Sequence, residues 1–359
     1  MITHCIRKTF LCYGFFVFFY LESFNTTIAQ TGYLVMDTVH GYALEGNLLG
    51  DSPDRSVLIY LPPDYNSALE KRYPVLYLLH GNSCHNSIWT SGVYQGMNIQ
   101  SSMDSLINAG LAREMIIVMP DGYNRYRGCH FVNSSATGNW ADFITSDLVK
   151  YIDTKYRTIP FAQSRGLAGH SMGGRATLYL GMTHPNVFGA FYGLSSGDMY
   201  FDEILSPPQD PVMWSKLLQK KDIMEVTDIG MMRMLGLSAA FSPNLNRPPF
   251  LVDFHYELKD GTIKPIQEVW ERWHDFDPVA LVPSLEDNLK MLRAIRFDCG
   301  LSDGLLGDSR AYAHALEILK IPYVYEEYEG DHFNRIRERV ETKVIPFFSE
   351  VLEFYPHSK

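Results

Sequence analysis

One stretch, Arg165-Gly-Leu-Ala-Gly-His-Ser-Met-Gly-Gly-Arg175, limits the fold of this chain more than any other. A short apolar run, Gly166 to Ala168, leads into Gly169-His170-Ser171-Met172-Gly173. A helix-like segment from Arg175 to Leu180 follows and stops at Gly181 and Pro185. Strand, tight turn and helix is the setting in which Gly-x-Ser-x-Gly becomes a nucleophile elbow, with the serine lifted off the end of a sheet strand into strained, exposed geometry. The flanking glycines are needed because the following helix packs too close to the turn for a Cβ.

The pattern recurs at Gly193-Leu-Ser195-Ser-Gly197 and at Gly300-Leu-Ser302-Asp-Gly304, so context has to choose the nucleophile. Ser195 follows a strand-like run from Val187 to Leu194, but Asp198 to Asp202 does not begin a helix. Ser302 is followed by a loop, Gly304 to Asp308. Ser171 alone has a strand before it, a further glycine in Gly174 and a helix after it.

The chain around this stretch alternates strands and helices. Gly32 to Asp51 reads as an edge strand plus loop, Ser56 to Leu61 as a strand stopped by Pro62-Pro63, and Asp64 to Arg72 as a loop. Tyr73 to Leu79 and Met115 to Met119 are continuous apolar runs, the mark of strands buried on both faces in a parallel sheet. Gln100 to Ala112 and Ala141 to Tyr156 have helical spacing. After Leu194 the alternation resumes at Ala294 to Phe297, with a helix over Arg310 to Leu319, a strand over Pro322 to Tyr325 and a closing helix over Ile336 to Phe354. Such an order predicts an α/β fold, a mostly parallel sheet with helices on both faces. Ligands of these sheets bind at the carboxyl ends of the strands, where His80-Gly81, Asp121, Ser171, Ser195, Asp303 and His332 all fall.

The stretch 201–290 interrupts this pattern. It is rich in Met, Pro and Trp and shows no alternation. It reads as an insertion capping the site, with the catalytic domain formed by 30–200 and 291–359. A length of 359 residues suits one α/β domain with an insertion, or two domains. The net charge of -10 argues against nucleic acid or an anionic membrane surface as partner.

The first 29 residues read as a signal peptide. Arg7 and Lys8 carry positive charge, Phe10 to Leu21 is apolar, and Thr27-Ile-Ala29 offers a cleavage site. The apolar run is short of the roughly 20 residues of a membrane span; an uncleaved anchor is the alternative. A secreted or periplasmic location follows, with no stable membrane insertion once the signal is removed. Cys84, Cys129 and Cys299 then remain, and their spacing leaves open one disulfide and a free thiol. No cysteine pair has zinc-site spacing and no phosphate loop matches, so the reading requires neither metal nor cofactor.

A serine hydroxyl needs a base, and the base needs a carboxylate to fix its tautomer. With the order Ser, acid, His expected on such a sheet, Asp303 is the acid, in the loop after a strand. Asp298 is still within that strand, and Asp308 stands at a helix start, where Asp more often caps. Of the later histidines, His314 is mid-helix and His357 is terminal, whereas His332 sits at the strand-to-helix turn Gly330-Asp331-His332. The oxyanion donors expected are the N–H groups of Met172 and Asn82. His170, Trp89 and Tyr123 are candidates for the acyl or alcohol pocket, with plain packing the alternative for each.

Val57-Leu-Ile-Tyr-Leu-Pro-Pro-Asp-Tyr65, Tyr73-Pro-Val-Leu-Tyr-Leu-Leu-His-Gly81 with Trp89 behind it, Gly169-His-Ser-Met-Gly-Gly174, Asp298-Cys-Gly-Leu-Ser-Asp303 and Glu329-Gly-Asp-His332 together resemble the esterase family of α/β hydrolases. That family includes feruloyl and acetylxylan esterases, enterochelin esterases, S-formylglutathione hydrolases and mycolyltransferases. The resemblance covers roughly 55–200 and 290–350. It implies the α/β-hydrolase fold, Ser171, Asp303 and His332 as triad, and the Asn82 and Met172 amides as oxyanion hole. The expectation is a secreted carboxylic ester hydrolase acting through an acyl-serine on small-molecule or polysaccharide-linked esters, with feruloyl or acetyl groups on plant polysaccharides as the substrate class. An acyltransferase with the same triad, or a catalytically silent binding protein on this scaffold, are the alternatives; the oligomeric state is left open.

Overall fold

A computed structural model describes residues 31–199, 201 and 211–354. The expected signal peptide, 1–29, and His357 lie outside the described residues. The strands in chain order are β1 (Tyr33–His40), β2 (Asp54–Leu61), β3 (Val75–Leu79), β4 (Ile116–Pro120), β5 (Asn133–Ser134), β6 (Gly138–Asn139), β7 (Arg165–His170), β8 (Ala190–Leu194), β9 (Tyr256–Lys259), β10 (Thr262–Pro265), β11 (Ala294–Gly300) and β12 (Val324–Tyr328). Eight of them form one sheet in the order β1-β2-β4-β3-β7-β8-β11-β12. β1 and β2 are antiparallel to their neighbours; from β4 to β12 every pairing is parallel. This is the mostly parallel sheet of the α/β-hydrolase fold.

Period-two side-chain alternation divides each central strand between two cores. Val75, Tyr77 and Leu79 of β3 face one, with Ile116 and Val118 of β4. Leu76 and Leu78 face the other, with Ile117 and Met119. The first core is covered by the helical stretch 140–155, the helix Met172–Thr183 and the helix Leu306–Ile318. The second is covered by the helix Ile99–Asn108 and the closing helical stretch 336–351. Strands buried on both faces therefore read as unbroken apolar runs in the sequence.

Several boundaries differ from the sequence reading. β8 begins at Ala190 rather than Val187, because Val187 and Phe188 still donate to the carbonyl of His184 (2.9 and 3.1 Å) in the turn after the preceding helix. β12 runs on to Tyr328 through Glu326 and Glu327, polar residues that an edge strand tolerates. Both long flanking helices contain a π-helical turn, at Phe143–Leu148 and Val340–Val344.

The 201–290 stretch contains the helices Pro211–Leu218, Ile229–Phe241 and Gln267–His274 and the antiparallel hairpin β9–β10. They gather around Trp214, Phe241, Trp270 and Trp273, and this third core also takes in Leu49, Tyr126 and Val132 from outside the stretch. Among the described residues, no helix is long and apolar enough to cross a membrane. Cys84, Cys129 and Cys299 are all free thiols, which answers the question their spacing left open.

Candidate active site

The turn between β7 and the helix Met172–Thr183 holds Ser171 at φ 59° and ψ −118°, a left-handed conformation costly for any residue but glycine. The amide of Ser171 donates to Leu194 (3.1 Å), and its carbonyl accepts from Gly197 (3.2 Å), so the end of β8 braces the turn. The glycine requirement has a specific origin. A Cβ at Gly169 would strike the backbone of Gly173, and one at Gly173 would strike the backbone of Leu79 and His80 at the end of β3.

Asp303 lies past the end of β11 and His332 past the end of β12. Nε2 of His332 is 3.0 Å from Oγ of Ser171, and Nδ1 is 2.8 Å from Oδ2 of Asp303. The structure thus brings the three sequence-derived residues into one hydrogen-bonded series. Burial of Asp303 works against its ionisation, but the hydrogen bond and charge of His332, the Leu305 amide and the Ser195 hydroxyl outweigh it and hold its pKa below the ordinary value. The rejected candidates are occupied elsewhere. Asp298 is inside β11, bonded to Arg339 (2.8 Å) and Tyr192 (2.6 Å). Asp308 is no helix cap: its Oδ2 accepts from the Met199 amide (2.9 Å). Ser195 is fully buried at φ 40°, and His314 is exposed on its helix.

A cavity of about 230 Å³ opens beside Ser171, with Asn82 and Met172 on its wall. Met172 is the first residue of its helix, where the amide has no intrahelical acceptor. Among the described residues, neither its N–H nor that of Asn82 donates to a protein group. Two free amides beside a serine hydroxyl can donate hydrogen bonds to a developing oxyanion.

The structure does not bring His170, Trp89 or Tyr123 to this cavity. His170 is fully buried, with Nδ1 accepting from Tyr94 Oη (2.8 Å) and Nε2 donating to the carbonyl of His332 (2.8 Å). Its pKa is depressed to about 3, by burial first and then by the neighbouring His332. Trp89 is core, packed on Tyr94 at 5.5 Å. Tyr123 stacks on His85 at 4.1 Å.

Three titratable residues on the cavity wall went unread in the sequence: His130, Asp198 and Arg233. Asp198 follows the second Gly-x-Ser-x-Gly at the end of β8, so the strand-end rule could have found it. Arg233 is a lone charge in the apolar run Met231 to Phe241. His130 lies in a loop with no periodic signal, at φ 53°. Among the described residues, no group of three or more His, Cys, Asp or Glu is arranged to hold a metal ion.

The Esterase family model, described as "Putative esterase", matches residues 52–335. The chain is 30% identical over 154 residues, 42% of its length, to an endo-1,4-beta-xylanase/feruloyl esterase of Xylanibacter ruminicola. It is 33% identical over 138 residues, 38% of its length, to an esterase of Mycobacterium tuberculosis. It spans only 20% and 27% of the lengths of these two relatives. Among solved structures, a ferulic acid esterase aligns with TM-score 0.63 and 22% identity over 90% of this chain and 100% of the other. An S-formylglutathione hydrolase from Staphylococcus aureus aligns with TM-score 0.57 and 15% identity over 89% of this chain and 99% of the other.

Proposed function

This chain belongs to the esterase family of α/β hydrolases, and from that premise we propose that it is a serine carboxylic ester hydrolase working through an acyl-serine intermediate. The observation that carries the reading is the series Ser171 Oγ–His332 Nε2 (3.0 Å) and His332 Nδ1–Asp303 Oδ2 (2.8 Å). His332 takes the proton of Ser171 as Oγ attacks the ester carbonyl. Asp303 holds the Nδ1–H tautomer and stabilises the imidazolium that forms. The Asn82 and Met172 amides receive the oxyanion, and removing one such donor typically costs about 10²–10³ in rate. His332 then returns the proton to the leaving alcohol, and water, deprotonated by the same ring, releases the acid.

The substrate class is acyl groups on plant polysaccharides, feruloyl or acetyl esters. The similarity to an endo-1,4-beta-xylanase/feruloyl esterase and to a ferulic acid esterase supports this choice. Residues 1–29 act as a signal peptide and send the protein out of the cytoplasm. The 201–290 stretch is a cap on a catalytic domain of 30–200 and 291–359; Arg233 on the cavity wall beside Ser171 supports that division.

A panel of p-nitrophenyl acetate, acetylated sugars and methyl ferulate, offered to wild type and to Ser171→Ala, tests the proposal. The expected result is hydrolysis by wild type and loss of at least about 10³-fold in the variant with its fold intact. Wild-type protein that turns over none of the panel would end the reading.

A further inference from the structure

We infer that Ser195 is a positioning residue for Asp303: its hydroxyl, backed by that of Tyr328, fixes the carboxylate that orients His332. The second Gly-x-Ser-x-Gly then serves the first. The inference rests on Ser171, His332 and Asp303 acting as the catalytic series.

The placement follows from the sheet. β8 lies between β7, which ends at the serine turn, and β11, which leads to Asp303. Ser195 directly follows β8, fully buried and held at φ 40°, with its amide donating to the Asp298 carbonyl of β11 (2.9 Å). A side chain in that left-handed conformation is costly and persists only where the surroundings impose it. The Ser195 hydroxyl meets the Asp303 carboxylate in a hydrogen bond, and its Oγ is 3.3 Å from Oη of Tyr328, the last residue of β12. The acid loop is laced to the same strand end. Leu301 donates to the Tyr328 carbonyl (2.8 Å) and Ser302 to that of Gly330 (2.9 Å).

The direction of these bonds is set by chemistry. Asp303 is ionised, so it only accepts: Oδ2 from His332 Nδ1 (2.8 Å) and Oδ1 from the Leu305 amide (3.0 Å). The phenol of Tyr328 keeps its proton, because burial pushes its pKa up to about 12. Ser195 has one proton, and a bond to a charged acceptor is roughly twice as strong as one to a neutral oxygen. Tyr328 therefore donates to Ser195, and Ser195 donates to Asp303. Leu305 belongs to the same loop as Asp303, whereas Ser195 ties the carboxylate to β8. Around these groups stand the His170 ring, 4.7 Å from that of His332, Asp298 and Cys299 of β11, and Arg339, 4.7 Å from the Tyr328 ring; Asp198 and Arg233 are on the cavity wall. The substitutions below alter none of them.

Ser195→Ala keeps the Cβ and the backbone bend and removes only Oγ; Tyr328→Phe removes the second hydroxyl. Hydrolysis of p-nitrophenyl acetate is followed across pH for wild type, each variant and the double variant, with thermal melting to check the folds. Ser195→Ala is expected to lower kcat by about 10-fold with KM within about twofold, and Tyr328→Phe to lower it by about threefold. The double variant stays within about twofold of Ser195→Ala, since both act through one bond. With the donor gone, more of the carboxylate's charge is felt by the imidazolium, so the acid limb of kcat/KM moves up by about half a pH unit in Ser195→Ala. Lost packing alone would leave that limb in place. A folded Ser195→Ala with wild-type kcat, an unmoved limb, or losses that multiply in the double variant would overturn the assignment. If Ser195→Ala fails to fold, kcat and the limb in Tyr328→Phe decide. Any of these results with intact wild-type hydrolysis sinks the role of Ser195 alone; wild type that hydrolyses no ester ends the esterase reading and this one with it.

Discussion

Nε2 of His170 lies 2.8 Å from the main-chain oxygen of His332, so the residue just before Ser171 holds the backbone of the proposed base. With its pKa driven down to about 3 by burial and by His332, His170 stays neutral at working pH and keeps one proton for this bond. Its other nitrogen accepts from Tyr94 at 2.8 Å. The prediction is that His170→Phe lowers kcat by about 10–100-fold, since a displacement near 1 Å in a catalytic group costs on that order. His170→Gln, which can donate and accept in the same directions, restores most of it. Steady-state kinetics on p-nitrophenyl acetate, with melting curves beside them, separate this positioning role from simple loss of fold.

Helix propensity and close packing give opposite signs at Gly173. Gly to Ala within a helix ordinarily stabilises by about 0.5–1 kcal/mol. Here the new Cβ would meet the carbonyl carbon of Leu79 at 2.6 Å and the oxygen of His80 at 2.7 Å. Backbone cannot swing aside as a side chain does, and the same segment carries Asn82. Gly173→Ala is therefore expected to destabilise by about 1–3 kcal/mol and to lose most ester hydrolysis, read by thermal unfolding and initial rates.

The strands of the eight-stranded sheet and the three candidate catalytic residues were legible because each has a local signature. Buried parallel strands show as apolar runs, as at Leu76 to Leu79, and strand ends mark where Ser171, Asp303 and His332 can meet. The cavity wall was not legible. The helix Ile229–Phe241 is buried on nearly every side, so it carries no apolar stripe of period 3.6 to announce it. His170 and Trp89 were drawn toward the pocket by their place in the chain, but burial assigns both to support. Sequence order gives which strand end a residue follows, not whether its side chain turns toward the cleft or the core.

Acid should weaken the fold in part through Asp121. Its burial opposes ionisation, but the His80 ring 3.5 Å away, the hydrogen bond with His85 (3.0 Å) and that from the Tyr123 amide (2.9 Å) outweigh that and lower its pKa to about 2. A depressed folded-state pKa means stability present above the unfolded value of 3.8 and lost as pH falls toward 2. The difference corresponds to about 2 kcal/mol at pH 7. Asp121→Asn should be less stable than wild type by about that amount at pH 7 and by only about 1 kcal/mol at pH 3. Thermal unfolding at the two pH values checks it; a gap that stays constant or widens in acid would contradict the assignment.

Ser171 pairs its proposed role as nucleophile with strain, and the two can be separated. At φ 59° and ψ −118° a side chain costs on the order of 1–3 kcal/mol that glycine does not. Glycine repays roughly 1 kcal/mol of this through the greater freedom of its unfolded chain. Ser171→Ala and Ser171→Gly both lack the hydroxyl, so both should be inactive toward p-nitrophenyl acetate. They differ in that only alanine keeps a Cβ in the left-handed turn. Ser171→Gly is thus expected to be the more stable of the two by about 1 kcal/mol, measured by thermal unfolding of the pair. If Ser171→Ala proved the more stable, the turn would hold no appreciable strain, and exposure of the hydroxyl would owe nothing to a forced backbone.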